Sequence, residues 1–173
     1  KLFAGLTIAS ASDIQTYALV QLAYTMGLRH KEISQIRLND ISFSTQQLTL
    51  AERKGTNPIE LPMPEHTLKA IAAYLIAARP QSEHRRVFLT LHPPFRPMRS
   101  ATVGYHITKA MRKVGLSSTA YWLRHTYAQN LLEAGASIFE IKEMLGHDKI
   151  ESTKNYLRIH IQLMRKVLFD ETF

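Results

Sequence analysis

The side chains best suited to chemistry in this sequence are cations and a phenol, spaced along the chain at expected helix ends and turns. Arg29 follows Thr25-Met26-Gly27-Leu28 at a helix–helix junction, and Lys54 sits in a hairpin turn. Arg124 and His125 open a helix after Tyr121-Trp122-Leu123. His147 follows Leu145-Gly146 at a helix end, and Tyr156 comes after Ser152-Thr153-Lys154-Asn155. Cations placed this way can hold an anion. Each residue also has a plain reading: a solvated cap for Arg29, an exposed turn residue for Lys54, a C-cap or core histidine for His147, and a core position of an amphipathic helix for Tyr156.

Other chemistries lack their residues. The eight histidines are His30, His66, His84, His92, His106, His125, His147 and His160, and none forms a His-Glu-x-x-His pair on one helical face. There is no cysteine, which removes disulfides, thiolate metal sites and cysteine nucleophiles together. A zinc site would then need histidines and carboxylates at matched spacing, and two-metal phosphoryl chemistry would need an acidic cluster. Neither is seen, so no metal and no cofactor are expected. No Gly-x-Ser-x-Gly elbow occurs, and the adjacency of His147 and Asp148 says little, because a triad is a spatial arrangement.

Charge supplies the partner class. The 173 residues carry 22 Lys/Arg against 14 Asp/Glu, a formal charge of +8. Residues 61–120 hold nine of those cations and two of the acids: Lys69, Arg79, Arg85, Arg86, Arg96, Arg99, Lys109, Arg112 and Lys113 against Glu65 and Glu83. That asymmetry is the footprint of a polyanion-binding face. A membrane surface fits less well, since these residues are spread over several elements instead of lining one amphipathic helix. The length suits one domain with a closed core. No apolar run is long enough for a membrane span, and the first residues carry no signal-peptide pattern. The chain lacks an initiator methionine and is expected to be a domain excised from something longer.

The elements that must position these residues are mainly helical. Ser12 is a candidate N-cap for a helix carrying Ile14, Ala18, Leu19, Leu22, Ala23 and Met26, closed by Gly27. A short helix is expected over Lys31–Ile36. Strands are expected over Gln47–Glu52 and Asn57–Leu61, around Lys54-Gly55-Thr56. Leu68, Ile71, Ala72, Leu75 and Ile76 mark the next helix. Residues 79–99 read as loop, with Pro80, Pro93, Pro94 and Pro97 around the apolar piece Val87–Leu89. Further helices are expected over Thr102–Val114, through Leu123, Tyr127, Ala128, Leu131 and Leu132 to Gly135, and from the cap Ser137 to Gly146. Helical character resumes near Ile150 and continues to about Leu168. No glycine-rich phosphate loop and no strand–helix alternation is present, which argues against a nucleotide-binding α/β fold.

The order of these pieces carries a family resemblance. Gly27-Leu28-Arg29-x-x-Glu32-Ile33, Lys54-Gly55 in a hairpin, Leu123-Arg124-His125-Thr126-Tyr127-Ala128, Leu145-Gly146-His147 and Thr153-x-x-Tyr156 together resemble the catalytic domain of the tyrosine recombinase (phage integrase) family. The resemblance runs from about Ile14 to His160 and is densest over Leu123–Tyr156. It implies an α+β fold, mainly helical with a small antiparallel sheet. It implies DNA strand breakage and rejoining through a covalent 3′-phosphotyrosine, without metal or ATP. Tyr156 matches the nucleophile, Arg29 and Arg124 the arginines that clamp the scissile phosphate, Lys54 a general acid for the leaving 5′-oxygen, and His147 a phosphate-binding histidine. The chemistry suits the residue types. A guanidinium fork stays charged and pairs two phosphate oxygens at once, while a phenol titrating near pH 10 needs a base or a strong positive field to attack at neutral pH. His125 is read as structural support and Glu32 as a partner that orients Arg29 or Arg124. Trp122 is read as packing.

The chain departs from the family pattern at one position. The family usually places a histidine three residues before the second arginine, and here that residue is Tyr121. A tyrosine can donate a hydrogen bond to phosphate, but it is a poor base near neutral pH. The resemblance also implies double-stranded DNA as partner, a homo-oligomer (a tetramer on DNA), no membrane association, and a cytoplasmic, nucleoid-associated location. Residues 1–173 are expected to be the catalytic domain alone, with an N-terminal DNA-binding domain outside this chain and a C-terminal tail from about residue 157. Two other readings remain open. One is a type IB-like topoisomerase; the other is a non-catalytic helical DNA-binding protein whose site has decayed at Tyr121.

Overall fold

The computed structural model describes residues 2–50 and 58–145. Among these residues there are six α-helices and one small sheet: α1 Ala11–Thr25, α2 His30–Gln35, β1 Ile41–Ser42, β2 Gln47–Leu50, β3 Ile59–Pro62, α3 Glu65–Ala77, α4 Ser100–Lys113, α5 Ala120–Glu133 and α6 Ile138–Leu145. The mainly helical α+β architecture is the expected one. The cap of α1 is Ser10, two positions before the expected Ser12. Ser10 is extended and its hydroxyl accepts the Asp13 N–H at 3.2 Å while donating to the Asp13 carboxylate at 2.7 Å, so the first turn closes on itself. Helix α2 starts one residue earlier than expected, and α5 already contains Tyr121 and Trp122 in its first turn.

Helix α1 is the centre of the molecule and packs against α3, α4 and α5. Leu19, Val20, Leu22 and Ala23 are buried on it, joined in the core by Ile33, Ile36, Ile71, Tyr74, Val103 and Ile107. A smaller cluster, Ala128, Ile141 and Leu145, joins α5 to α6. Not every expected core position is used: Ile76, placed on the apolar stripe of α3, is 87% exposed.

The sheet is antiparallel in the order β1-β2-β3, with Leu48 opposite Leu61 and Leu50 opposite Ile59. Residues 51–57, between β2 and β3, lie outside the described residues, and Lys54 is among them.

The segment between α3 and α4 has no regular structure but is firmly tied to the core. Val87, Phe88 and Leu89 are buried. Gln15 donates its side-chain N–H groups to the Leu89 carbonyl at 2.7 Å and to the Tyr74 hydroxyl at 3.0 Å, and the Tyr74 hydroxyl accepts the Leu89 N–H at 3.2 Å. The guanidinium of Arg79 donates to the carbonyls of His84, Arg86 and Val87, Arg86 donates to the Gln35 carbonyl, and Arg85 to the Asn39 side chain. Three cations counted from the sequence toward a polyanion-binding face thus hold backbone and side-chain oxygens of the chain itself.

Gly27 ends α1 with φ +60°, a left-handed conformation that favours glycine. Its missing Cβ also makes room for α5: a Cβ at this position would lie 2.4 Å from Tyr127 Cδ1. Gly27→Ala is therefore expected to cost about 1–2 kcal/mol in backbone conformation and about 1–3 kcal/mol in overpacking. Urea denaturation checks this. Adding Tyr127→Leu to Gly27→Ala should recover the packing part and leave the backbone part.

Candidate active site

Two arginines from distant parts of the chain share one carboxylate. Arg29 stands just before α2, and Glu32, in the first turn of α2, accepts its backbone N–H at 2.8 Å and its Nη1 at 3.1 Å. The oxygen that accepts the Arg29 backbone N–H, Oε2, also lies 3.7 Å from Nη1 of Arg124 on α5. Glu32 is 7% exposed and Arg124 3% exposed, whereas the Arg29 side chain is 41% exposed. A buried carboxylate between two guanidinium groups offsets their mutual repulsion and fixes their planes.

Arg124 is further fixed by the backbone. Its Nη1 donates to the Gly27 carbonyl at 2.7 Å and its Nη2 to the Leu145 carbonyl at 2.5 Å. The side chain therefore ties α5 to the end of α1 and to the end of α6. The turn at Gly27 serves the site directly, because the carbonyl it presents is one of the two that Arg124 holds.

Arg29 and Arg124 open onto a cleft of about 550 Å³. Leu28, Arg29 and His30 form one wall, Ala101, Gly104 and Thr108 of α4 a second, and Thr119, Ala120, Tyr121 and Arg124 the third. Tyr121 is 63% exposed, and its ring meets the edge of His125 at 4.2 Å between centroids. Trp122, read as packing, is largely exposed and packs tilted against the same histidine at 5.5 Å. The arrangement presents a fixed positive field with hydroxyl and imidazole donors at its rim, which is suited to a phosphodiester.

Arg29, Tyr121 and Arg124 line this cleft, with Glu32 paired to both arginines and His125 against the Tyr121 ring. Lys54, His147 and Tyr156 lie outside the described residues. His30 is a cleft residue that sequence reasoning counted only among possible metal ligands. Its signal, immediate succession to Arg29, is visible in the sequence, but its neighbours on α4 are not. Among the described residues no group of three His, Cys, Asp or Glu side chains could hold a metal ion, and no helix is long and apolar enough to cross a membrane.

Burial holds His125 below the ordinary imidazole range, and the Arg124 charge beside it acts in the same direction. His106 of α4 is also held down, first by burial and then by Lys109; its Nδ1 lies 3.3 Å from Thr16 Oγ1. Both favour the neutral form in the folded chain. As pH falls through the unfolded value of about 6.5, the unfolded chain takes up protons first, so stability is lost until the lower folded values are passed. Urea midpoints are expected to be lower at about pH 5.5 than at about pH 7.5. The difference should shrink in His106→Gln with His125→Gln.

Comparison with known proteins agrees with this architecture. The chain is 28% identical over 155 residues to tyrosine recombinase XerC of Lacticaseibacillus casei, a match covering 85% of this chain and 51% of that protein. It thus spans about half the length of that relative. The crystal structure of XerA recombinase superposes with a TM-score of 0.78 at 21% identity, covering 99% of this chain and 61% of the other. XerH recombinase, solved bound to a palindromic difH substrate as a post-cleavage complex, gives a TM-score of 0.77 at 15% identity over 96% of this chain and 49% of the other. These two likenesses establish a shared fold. Residues 3–162 match the phage integrase family across nearly the whole sequence, and the chain belongs to that family.

Proposed function

We propose that this chain is the catalytic domain of a site-specific DNA recombinase that cuts and rejoins strands through a covalent 3′-phosphotyrosine. The observation that carries the reading is the pair Arg29 and Arg124, bridged by the buried Glu32 at the head of a cleft large enough for a phosphodiester. The XerC relative and the DNA-bound XerH neighbour support it.

In this reading Arg29 and Arg124 hold the nonbridging oxygens of the scissile phosphate and stabilise the charge that accumulates on them at the transition state. Tyr121 and His147 donate hydrogen bonds to the same phosphate. The phenolic oxygen of Tyr156 attacks phosphorus, the bond to the 5′-oxygen breaks, and Lys54 gives that oxygen a proton. Rejoining is the reverse attack by a 5′-hydroxyl, so the bond energy stays in the phosphotyrosine and no nucleotide is consumed. The remaining lysines and arginines of residues 61–120 contact the DNA backbone, which makes affinity salt-dependent. The acting species is an oligomer on DNA.

The test is trapping on a suicide duplex that loses its 5′-hydroxyl after cleavage, with the full-length protein in EDTA. A DNA-linked protein band is expected. Strand exchange between two duplexes supports the recombinase; relaxation of supercoiled DNA without exchange would assign the same chemistry to a topoisomerase. DNA binding with no linked band at a verified site overturns the catalytic reading.

A further inference from the structure

Cutting a strand uncovers a surface that an intact duplex hides. Inside a duplex each base lies flat against its neighbours, so a ring beside the backbone has no base face to meet. A break frees a face on either side of it. Every base has a π-face on which an aromatic side chain can stack. A ring that uses that face must stand next to the phosphate cleft, exposed and held in place.

Trp122 meets those conditions. It is the one tryptophan of the sequence, a residue type that is highly buried on average, and it is 55% exposed. Its backbone is fixed: the Trp122 N–H donates to the Thr119 carbonyl at 2.9 Å, and the Trp122 carbonyl accepts the Thr126 hydroxyl at 3.0 Å. Leu123 and Arg124, which follow it, are buried, and Arg124 is held by two carbonyls, so the first turn of α5 is set in rotation. At about 3.6 residues per turn, Arg124, Tyr121, His125 and Trp122 follow one another around α5. Tyr121 lines the cleft and meets His125, and His125 meets Trp122 at an interplanar angle of 48°. The three rings form a continuous shelf from the cleft wall outward, with the indole at its outer end.

Charge directs DNA to this shelf. From His84 to Leu132 the sequence holds no Asp or Glu, a stretch that takes in all of α4 and all but the last residue of α5. Glu32, the acid beside the cleft, is already shared between Arg29 and Arg124. The shelf is thus an acid-free aromatic margin of a cationic cleft. Guanidinium groups suit a phosphate, and the shelf suits the base attached to it.

We propose that Trp122 is a DNA-binding residue that stacks on a nucleobase freed at the strand break and keeps that end in place for rejoining. The assignment rests on the recombinase reading. Stacking makes no covalent bond, so the end is retained and can still leave for another partner. It reads the flat face that all four bases share, so the contact adds affinity at the break without adding sequence preference.

The test is equilibrium binding of the full-length protein to a duplex already nicked at a verified cleavage position. The nick carries a 3′-phosphate and a 5′-hydroxyl, so that strand has no scissile bond left. Two further duplexes lack the base on the 3′ side or on the 5′ side of the nick, and they tell which end is held. Wild type should bind one of the two about 5–150-fold more weakly than the complete nicked duplex. Trp122→Leu keeps an apolar side chain but has no π-face. It should weaken binding to the complete nicked duplex by a similar factor, and removing the base at that end should then cost it nothing further. Trp122→Phe should recover part of the loss. The salt dependence of binding should stay the same in both variants, because no phosphate contact is lost. Equal losses from base removal in wild type and Trp122→Leu, at both ends, overturn the assignment. So does a Trp122→Leu affinity equal to wild type, which would leave the ring to a protein partner. Either result beside a DNA-linked band on the suicide duplex overturns the assignment of Trp122 alone. Absence of that band from wild type overturns the recombinase reading, and this assignment with it.

Discussion

Tyr156→Phe is expected to yield no covalent DNA adduct, with an affinity for DNA within about twofold of wild type. The change removes one oxygen and keeps the ring and the net charge. Phenylalanine has no lone pair to form the bond to phosphorus, and loss of a sole covalent nucleophile costs a factor of order 10⁶ in rate. The sharpest control is another phenol. Tyr121 lines the cleft beside Arg124 and is an oxygen nucleophile in its own right. Tyr121→Phe removes a hydrogen-bond donor worth about 1 kcal/mol and is expected to slow cleavage about fivefold with the adduct still formed. Gel separation of the DNA-linked band for both variants decides between them. An adduct that survives Tyr156→Phe and vanishes in Tyr121→Phe would move the nucleophile to α5.

Much of the scaffold around this site is legible residue by residue. Gly27, Gly115 and Gly135 each sit two residues past a helix, each with positive φ, where a side chain would be strained. Of the apolar positions at helical spacing in α1, Ala18, Leu19, Leu22 and Ala23 are buried and Ile14 is half-buried. What escapes is what depends on distant neighbours. The strand Ile41–Ser42 is two residues long, too short for an alternating pattern to show. Val87–Leu89 is an apolar piece without periodicity, and it is held in place by Gln15 and Tyr74, residues from two other helices. Arg79, Arg85 and Arg86 count as surface charge in a sequence, because a guanidinium that binds a carbonyl looks no different there from one that faces solvent. Within the site, the arginines and Glu32 stand in recognisable motifs. His30 shows itself as a cleft residue only when Gly104, on another helix, proves to be its neighbour.

Arg124 should show the largest combined effect on stability and reaction. Its side chain is nearly inaccessible, and Glu32, the Gly27 carbonyl and the Leu145 carbonyl all depend on it. Arg124→Ala leaves a buried carboxylate with one partner fewer, and truncating one member of a buried pair costs about 3–5 kcal/mol. The two carbonyls lose their donor in the same step. Arg124→Lys keeps the positive charge but has a single nitrogen in place of a planar fork, so it cannot meet two carbonyls and a carboxylate together. Lysine is therefore expected to recover part of the folding stability and little of the reaction, which falls by about 10²–10³-fold when a preorganised donor to the reacting anion is lost. Urea denaturation and single-turnover cleavage, measured on the same preparations, separate the two losses. Equal recovery of both by lysine would mean that Arg124 acts as a point charge. Recovery of stability without rate would locate its contribution in the fork that ties α5 to Gly27 and Leu145 while facing the cleft. The same side chain that closes the junction of three helices would then be the one that orients charge toward the phosphate, so fold and reaction could not be tuned independently at this position.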